Sequence, residues 1–271
     1  SRLHPVIADA RARFAFTDEA TLNSLSHHTG SLPALDTLRW LGTDTIREPG
    51  LPWTDPGVSA SDIAFLQYTS GSTSDPKGVI VSHGNLMHNE GAVKQAYGHD
   101  HQSTFVGWLP VFHDMGLVGN LLQPLYIGSE CYFMAPATFV GNPYRWLKAI
   151  SDFKAHTSGS PNFGYEHCCN KITPEQKAQL DLSSWKIAFN GAEPVSARTI
   201  ERFTAEFAEC GFAPEAHYPC YGMAEATLFI SGSHKMAGAS ILRVNKSTFE
   251  EKRIQVAQPG DTSVYGLVGC G

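Results

Sequence analysis

Apolar runs alternate with stretches of helical periodicity along most of this chain. The apolar runs predict strands at residues 63–68, 79–81, 104–109, 131–134 and 185–189. Helical spacing and capping residues predict helices at residues 83–97, 143–153 and 196–208. We expect the aromatic stripes of the last two helices, which include Trp146 and Phe203, to lie in the core. Strands that alternate with helices are typical of a parallel α/β arrangement.

Two segments lack this alternation. Residues 1–55 are rich in proline and loop-forming residues, and they predict mostly loop, with a short strand near residues 32–41. After Ile230 the chain becomes polar, and residues 231–271 are compatible either with a solvated linker or with an inserted element.

Composition limits the classes of function. The chain has 271 residues, of which 42% are hydrophobic and 17% charged, which is typical of a soluble globular protein with one large domain or two smaller ones. A net charge of −6 and a pI near 6.0 leave no basic surplus for a phosphodiester backbone, so we expect no nucleic-acid partner. No apolar run reaches the roughly 18 residues of a membrane helix. We therefore expect a cytoplasmic protein without a membrane span.

The six cysteines and twelve histidines follow no metal-binding pattern. The sequence contains no Cys-x-x-Cys pair and no His-Glu-x-x-His, and Cys168 and Cys169 are adjacent, where a mutual disulfide is strained. We expect reduced thiols and no structural metal.

Residues 69–78, TSGSTSDPKG, combine small, hydroxylated and cationic side chains between two predicted strands. Backbone N–H groups of such a loop can form an anion-binding nest, to which the hydroxyl groups and Lys77 would add donors and charge. The spacing is not that of the ATPase P-loop, because Lys77 follows Pro76 and precedes Gly78. The loop alone is equally compatible with a solvated Ser/Gly hairpin.

Residues 110–117, PVFHDMGL, follow a predicted strand. They place His113 and Asp114 at the carboxyl end of that strand, where open α/β sheets bind their ligands. A structural hydrogen bond between the two side chains is the alternative interpretation.

Two later segments also carry candidate chemistry. Residues 190–194, NGAEP, lack bulk at Gly191 and Ala192, which suits either a flat base lying against the backbone or an ordinary strand-to-helix turn. Residues 221–227, YGMAEAT, are the fourth candidate segment.

In this order, the four segments resemble the motifs of the adenylate-forming superfamily, which includes acyl- and aryl-CoA synthetases, luciferases and the adenylation domains of peptide synthetases. The family's loop usually reads Thr-Ser-Gly-Ser/Thr-Thr-Gly-x-Pro-Lys-Gly, and the chain departs from it at Ser74. The version at residues 110–117, together with residues 160–163 and 225–228, resembles the fatty acyl-AMP ligase branch. The resemblance covers essentially the whole chain.

The resemblance implies roles for particular residues. The loop would hold the β- and γ-phosphates of ATP, and the later segments would hold adenine. The implied nucleotide-binding residues are Thr69, Ser70, Gly71, Ser72, Thr73, Lys77, Gly78, Asn190, Gly191, Ala192, Glu193, Pro194, Tyr221, Gly222, Met223 and Ala224. The implied catalytic residues are His113, beside the carboxylate to be activated, Lys77, which offsets charge, and Glu225, which helps to hold Mg²⁺. Ala224 stands where the family has Thr, so the contact of that hydroxyl group with the α-phosphate is missing or comes from Thr227.

The resemblance also implies a fold and a function. The fold would be the large N-terminal domain of an adenylate-forming enzyme, with mixed and largely parallel sheets flanked by helices. The function would be ATP-dependent activation of a fatty acid to an acyl-adenylate, with release of pyrophosphate. The acyl group would pass to the phosphopantetheine thiol of an acyl carrier protein, as in polyketide or lipopeptide biosynthesis. An acyl-CoA or aryl-CoA synthetase and a non-catalytic nucleotide-binding domain remain alternatives.

The expected domain organisation follows from the same comparison of motifs. Residues 1–230 would form a partial adenylating core, and residues 231–271 would be the insertion that distinguishes acyl-AMP ligases from acyl-CoA synthetases. The family's small C-terminal domain, with its catalytic Lys, has no counterpart. We therefore expect the chain to be a fragment of a larger ligase.

Overall fold

The computed structural model describes residues 3–26, 37–47, 50, 52–69 and 77–271. The chain divides into two compact units, Ser1–Gly84 and Asn85–Gly271. The sequence predicted a boundary at residue 230, between an adenylating core and an insertion. That boundary does not coincide with the division after Gly84, and it stays a prediction.

In its described residues, the first unit contains short helices and two separate pairs of strands. Strands β1 and β2 pair in parallel, with Phe14 opposite Arg39, and β3 and β4 form an antiparallel pair. The elements are α1 (Leu3–Ala10), β1 (Phe14–Thr17), α2 (Glu19–Ser26), β2 (Arg39–Gly42), a 3₁₀ turn (Thr43–Thr45), β3 (Ile63–Thr69) and β4 (Lys77–Ser82).

The prediction of mostly loop for residues 1–55 is wrong for α1, β1 and α2. These elements are short, and β1 forms by pairing with β2. Each residue of β1 pairs with a residue about 25 positions later in the sequence. The strand expected near residues 32–41 appears in part as β2, and residues 32–36 lie outside the described residues. The predicted strands at 63–68 and 79–81 are confirmed as β3 and β4.

The second unit is built on one six-stranded sheet with the order β10-β9-β8-β7-β5-β6. The elements are α3 (His83–Tyr97, whose first two residues belong to the first unit), β5 (Phe105–Gly107), a π-helical stretch (Met115–Leu122), α4 (Gln123–Ile127), β6 (Cys131–Phe133), α5 (Pro136–Gly141), α6 (Tyr144–Asp152), β7 (Thr157–Gly159), α7 (Asn162–Lys171), α8 (Pro174–Lys177), β8 (Ile187–Asn190), α9 (Ala197–Phe207), 3₁₀ turns (Ala208–Cys210 and Pro214–Ala216), β9 (His217–Gly222), a 3₁₀ turn (Ala224–Ala226), β10 (Phe229–Gly232), β11 (Ile241–Asn245), α10 (Lys246–Glu250) and β12 (Val264–Val268).

Five of the six strands run in parallel, and only β10 is antiparallel to its neighbour β9. The sheet is therefore mixed and largely parallel, and it is flanked by helices, as expected from the sequence. Strands β5, β7 and β8 are buried along their whole length, which is typical of parallel strands covered on both faces.

The core lies between this sheet and its helices. Helix α6 buries Trp146 completely, and α9 buries Phe203 completely, so the predicted position of both aromatic stripes is confirmed. The Trp146 indole donates to Ser158 Oγ of β7 at 2.8 Å, which satisfies the polar edge of a buried ring. Ser196 caps α9, since its Oγ accepts from the Thr199 N–H at 3.2 Å.

Residues 231–271 contain regular structure. Strands β11 and β12 form an antiparallel pair, with Ile241 opposite Val268, and α10 follows β11. A Cβ on Gly266 would lie 2.6 Å from Cβ of Ala197, so β12 packs closely on the start of α9. The solvated-linker interpretation is therefore wrong for these elements. The interpretation as a ligase-specific insertion stays a prediction.

All six cysteines lie within the described residues and carry free thiols. Among those residues, no helix has both the length and the apolar character needed to cross a membrane.

Candidate functional site at the carboxyl edge of the sheet

Four neighbouring parallel strands, β5, β7, β8 and β9, end at one edge of the sheet of the second unit. The segment containing His113 follows β5, and the NGAEP segment begins on the last residue of β8. The YGMAEAT segment begins on the last two residues of β9. Ligands of open α/β sheets bind at this edge, because the loops after parallel strands meet there.

His113 and Asp114 form a directly bonded pair. Nδ1 of His113 lies 2.6 Å from Oδ1 of Asp114, and the side chain of Asp114 is 10% exposed while that of His113 is 52% exposed. The same Oδ1 accepts from the Met115 N–H at 2.6 Å. A buried carboxylate thus orients an exposed ring, and Nε2 is the ring nitrogen that Asp114 does not engage.

The electrostatics of the pair favour the imidazolium. The hydrogen bond to Asp114 raises the pKa of His113 above its ordinary value, although partial burial opposes the rise. A positively charged ring at this edge suits a ligand carboxylate. A Cβ on Gly116 would lie 2.1 Å from the Pro110 carbonyl oxygen, so the glycine allows the chain to fold back tightly behind His113.

The NGAEP segment is held by Asn162, the first residue of α7. Asn162 Oδ1 accepts from Asn190 Nδ2 at 3.1 Å and from the Ser196 N–H at 3.0 Å, and its Nδ2 donates to the Pro194 carbonyl at 2.9 Å. One side chain therefore fixes the two ends of the segment. Ala192 has φ +68°, a left-handed conformation that costs a non-glycine residue about 1 kcal/mol. Strain of this kind is frequent at ligand sites.

A cleft of about 430 Å³ lies beside this segment. One wall is formed by residues 192–195 together with Tyr221 and Gly222, and the other by residues 265–268 of β12 and Cys270. Its volume is within the range of small-molecule sites. A Cβ on Gly191 would lie 2.9 Å from the Cys220 carbonyl oxygen, so this position has no room for a side chain. The absence of bulk noted in the sequence is required by the close approach of β8 and β9.

The YGMAEAT segment forms the turn between β9 and β10. The side chain of Tyr221 borders the cleft with the residue 53% exposed, Glu225 is exposed, and Ala224 and Thr227 are buried. Within the described residues, no three His, Cys, Asp or Glu side chains form a group that could hold a metal ion by themselves. A single exposed carboxylate suits Mg²⁺, which commonly binds through one or two carboxylates, waters and substrate phosphates.

The first unit carries the ends of the predicted phosphate loop. Thr69 and Lys77 are opposite each other at the ends of β3 and β4, and Tyr68 is opposite Gly78. A Cβ on Gly78 would lie 2.9 Å from Cζ of Tyr68, so the glycine makes room for that ring. The expectation of a connection between two extended segments is confirmed. The remaining loop positions, residues 70–76, lie outside the described residues, and they include Ser70, Gly71, Ser72, Thr73 and Ser74.

Two features of the site were not predicted from the sequence. Asn162 had no assigned role, because β7, the strand that precedes it, was not predicted. The wall contributed by β12 falls in a segment with no hydrophobic alternation. The signal that could have identified Asn162 is an asparagine between Pro161 and a helix, a position from which its amide can bond to neighbouring loops.

A largely parallel sheet that carries the His113, NGAEP and YGMAEAT segments at its carboxyl edge defines a nucleotide-binding α/β domain of the adenylate-forming class. Residues 1–260 match the family described as AMP-binding enzyme, and the chain belongs to that family.

Two similar proteins are named as fatty acid ligases. The chain is 48% identical over 219 residues to the medium-chain-fatty-acid–[acyl-carrier-protein] ligase TtuA of Teredinibacter turnerae, an alignment that covers 81% of this chain and 34% of the relative. It is 42% identical over 274 residues to the corresponding ligase JamA of Moorena producens, covering all of this chain and 46% of the relative.

A solved structure shows the same fold. The fatty acyl-adenylate ligase of Legionella pneumophila, in complex with acyl adenylate and pyrophosphate, superposes with a TM-score of 0.85 at 38% identity. That alignment covers 100% of this chain and 47% of the ligase chain. The chain thus spans less than half the length of the relatives named here.

Proposed function

We propose that this chain provides the ATP-binding core of a fatty acyl-AMP ligase. The reaction joins a fatty acid carboxylate to the α-phosphorus of ATP, and the bond between the α-phosphorus and the pyrophosphate oxygen breaks. The observation that carries the proposal is the cleft between residues 192–195 and Tyr221–Gly222, on the same sheet edge as the His113–Asp114 pair. The fatty acid ligases among its relatives support this assignment.

The cleft would hold the adenine ring. The backbone at Gly191 and Ala192 lacks bulk, and Tyr221 offers an exposed aromatic face on which a base can stack. Asn190, Glu193, Pro194, Met223 and Ala224 complete the two segments, and we propose that they shape the nucleotide site around these contacts.

His113 would hold the carboxylate of the acid. Its raised pKa favours a cationic ring, and its Nε2–H can donate to a carboxylate oxygen. A fatty acid is already ionised at neutral pH, so the reaction needs charge neutralisation and alignment rather than a general base.

Anionic phosphates require positive charge around them. We propose that Lys77, with Thr69, Ser70, Gly71, Ser72, Thr73 and Gly78, holds the β- and γ-phosphates. Glu225 would be a ligand of Mg²⁺, which when bound supplies charge to offset that of the phosphates.

We propose the phosphopantetheine thiol of an acyl carrier protein as the acceptor. Two relatives are named as acyl-carrier-protein ligases, which supports a carrier protein in this role. One methylene changes binding by only about 1–3 kcal/mol, so the depth of the acyl pocket decides which chain length is preferred. A cytoplasmic location remains a prediction.

Exchange of labelled pyrophosphate into ATP tests the proposal in the full-length polypeptide that contains this chain. We expect exchange that depends on a fatty acid and on Mg²⁺, measured over a panel of acids of increasing length. Adenylates discharged by a carrier protein but not by coenzyme A would support the ligase. Discharge by coenzyme A would identify an acyl-CoA synthetase, and ATP binding without any exchange would identify a non-catalytic domain.

A further inference from the structure

The turn between β9 and β10 has a backbone conformation that its central residue does not favour. Thr227 has φ +72° and ψ −58°, and the Leu228 N–H donates to the Ala226 carbonyl at 2.9 Å, which closes a γ-turn. Positive φ is rare for β-branched residues. Such a conformation persists only when surrounding groups hold it.

Asn89 of α3 makes the bonds that hold this turn. The residue is 6% exposed, and its Nδ2 donates to the Ala226 carbonyl at 3.2 Å and to the Phe229 carbonyl at 2.9 Å. Its Oδ1 accepts from the Phe229 N–H at 3.0 Å. Both hydrogens of the amide and its oxygen are therefore used, and the bonded groups stand on either side of Thr227.

The turn is hydrogen-bonded to the residue that follows β9 and packs against the last residue of β9. The Met223 N–H donates to the Leu228 carbonyl at 2.9 Å, and a Cβ on Gly222 would lie 2.0 Å from that same oxygen. The backbone after Thr227 thus rests directly against the segment that contains Tyr221 and Glu225. A change of conformation at Thr227 would move both side chains.

We propose that Asn89 is a positioning residue that fixes Glu225 and Tyr221 through the Thr227 turn. The inference rests on the proposed function for its consequence, which is the binding of Mg²⁺ and nucleotide by those two residues. Asn is the residue type that this role needs, because two carbonyl oxygens and one N–H must be bonded at once. An aspartate of the same shape would keep the acceptor but would face two carbonyl oxygens without a donor.

The test uses Asn89→Asp and Asn89→Ala in the full-length polypeptide, with Val93→Ala as the matched control. Val93 is buried on the same helix and contributes apolar packing. Hydrogen–deuterium exchange of residues 223–229, measured without ligand, should accelerate about 10-fold in both Asn89 variants relative to peptides elsewhere in the sheet. Val93→Ala should lower the melting temperature without this selective change.

A second readout separates positioning from general stability. In the pyrophosphate exchange assay, the Mg²⁺ concentration for half-maximal rate should rise about 10-fold in the Asn89 variants, while the KM for the fatty acid stays near that of the wild type. The inference would be overturned if Asn89→Asp kept the wild-type rate of pyrophosphate exchange, the wild-type Mg²⁺ dependence and the wild-type hydrogen–deuterium exchange of residues 223–229. An equal effect of Val93→Ala would also overturn it. Absence of acid-dependent exchange in the wild type would instead overturn the proposed function.

Discussion

The carboxylate of Asp114 accepts a hydrogen bond from Nδ1 of His113 at 2.6 Å. Asp114 is anchored in turn by the Met115 N–H at the start of the π-helical stretch, so the backbone fixes the acid and the acid fixes the ring. This hydrogen bond is the main cause of the raised pKa of His113. The pair therefore links the local fold after β5 to the charge of an exposed group at the site.

Asp114→Asn should shift the pH dependence of fatty acid activation. With the carboxylate removed, the pKa of His113 falls and the imidazolium is lost at lower pH. We expect the pH at which kcat/KM for the acid declines to move downward.

His113→Asn should abolish that decline and lower kcat/KM about 10- to 100-fold, the value of one hydrogen bond to a charged group. Asp152→Asn, an exposed aspartate of α6, is the control. A pH profile unchanged in both site variants would contradict the role of the pair.

Glu225→Ala should abolish Mg²⁺-dependent adenylate formation. Glu225 is the carboxylate that we propose as a ligand of Mg²⁺. Its removal would leave the phosphate charge uncompensated, so we expect the exchange rate to fall about 100-fold or more. The measurement is pyrophosphate exchange over a Mg²⁺ titration. Glu215→Ala, which removes an exposed glutamate of the 3₁₀ turn Pro214–Ala216, should retain activity. Activity of Glu225→Ala close to that of the wild type would remove Glu225 from the metal site.

Asn162→Ala should weaken ATP binding more than it slows turnover. The substitution removes three hydrogen bonds that join α7 to residues 190–196, and it leaves the buried Asn190 amide without its partner. We expect the free energy of unfolding to fall by about 1–3 kcal/mol and the KM for ATP to rise several-fold. Asn170→Ala, at the exposed other end of α7, is the matched control. An unchanged KM for ATP would show that this bridge is structural only.

Glu90→Gln should flatten the dependence of stability on pH. Glu90 is buried on α3 beside Gln123, whose amide can donate to it while accepting from His99, and burial raises the pKa of Glu90 to about 8. The unfolded chain releases this proton near pH 4.5. Between pH 4.5 and about 8 the native state therefore holds one more proton than the unfolded chain. Stability should therefore fall as pH rises from about 4.5 to about 8, with a slope near 1.4 kcal/mol per pH unit at most.

Urea unfolding between pH 4.5 and 9 measures this effect. The wild-type slope in that window should diminish in Glu90→Gln and persist in Glu209→Gln, which replaces an exposed glutamate. Equal slopes in all three proteins would show that Glu90 does not titrate as its burial requires.

The sequence alone determined helices α3, α6 and α9 and the order of the chemical segments. Helix α3 matches its predicted bounds of 83–97, and α6 and α9 differ from theirs by one residue at each end. Helical periodicity and caps are local signals, and burial of Trp146 and Phe203 follows from them. The four segments also identified the family without any structure, because each is a contiguous string of residues.

Tertiary structure alone decided which short segments become strands and how the loops at the site are joined. Strand β7 consists of Thr157, Ser158 and Gly159, which carry no apolar pattern. It forms because Ser158 accepts from the Trp146 indole and donates to the Val106 carbonyl at 2.6 Å. Gly159 also leaves room for the Phe189 ring, since a Cβ at this position would lie only 2.3 Å from that ring.

The hydrogen bonds of Asn162 and of Asn89 likewise depend on tertiary structure. Asn89 bonds to groups about 140 positions away in the sequence, and Asn162 bonds to groups about 30 positions away. Such contacts satisfy backbone groups that only the folded chain brings within hydrogen-bonding distance. The sequence thus determined which residues carry the proposed chemistry, whereas long-range packing decided which asparagines hold them in place.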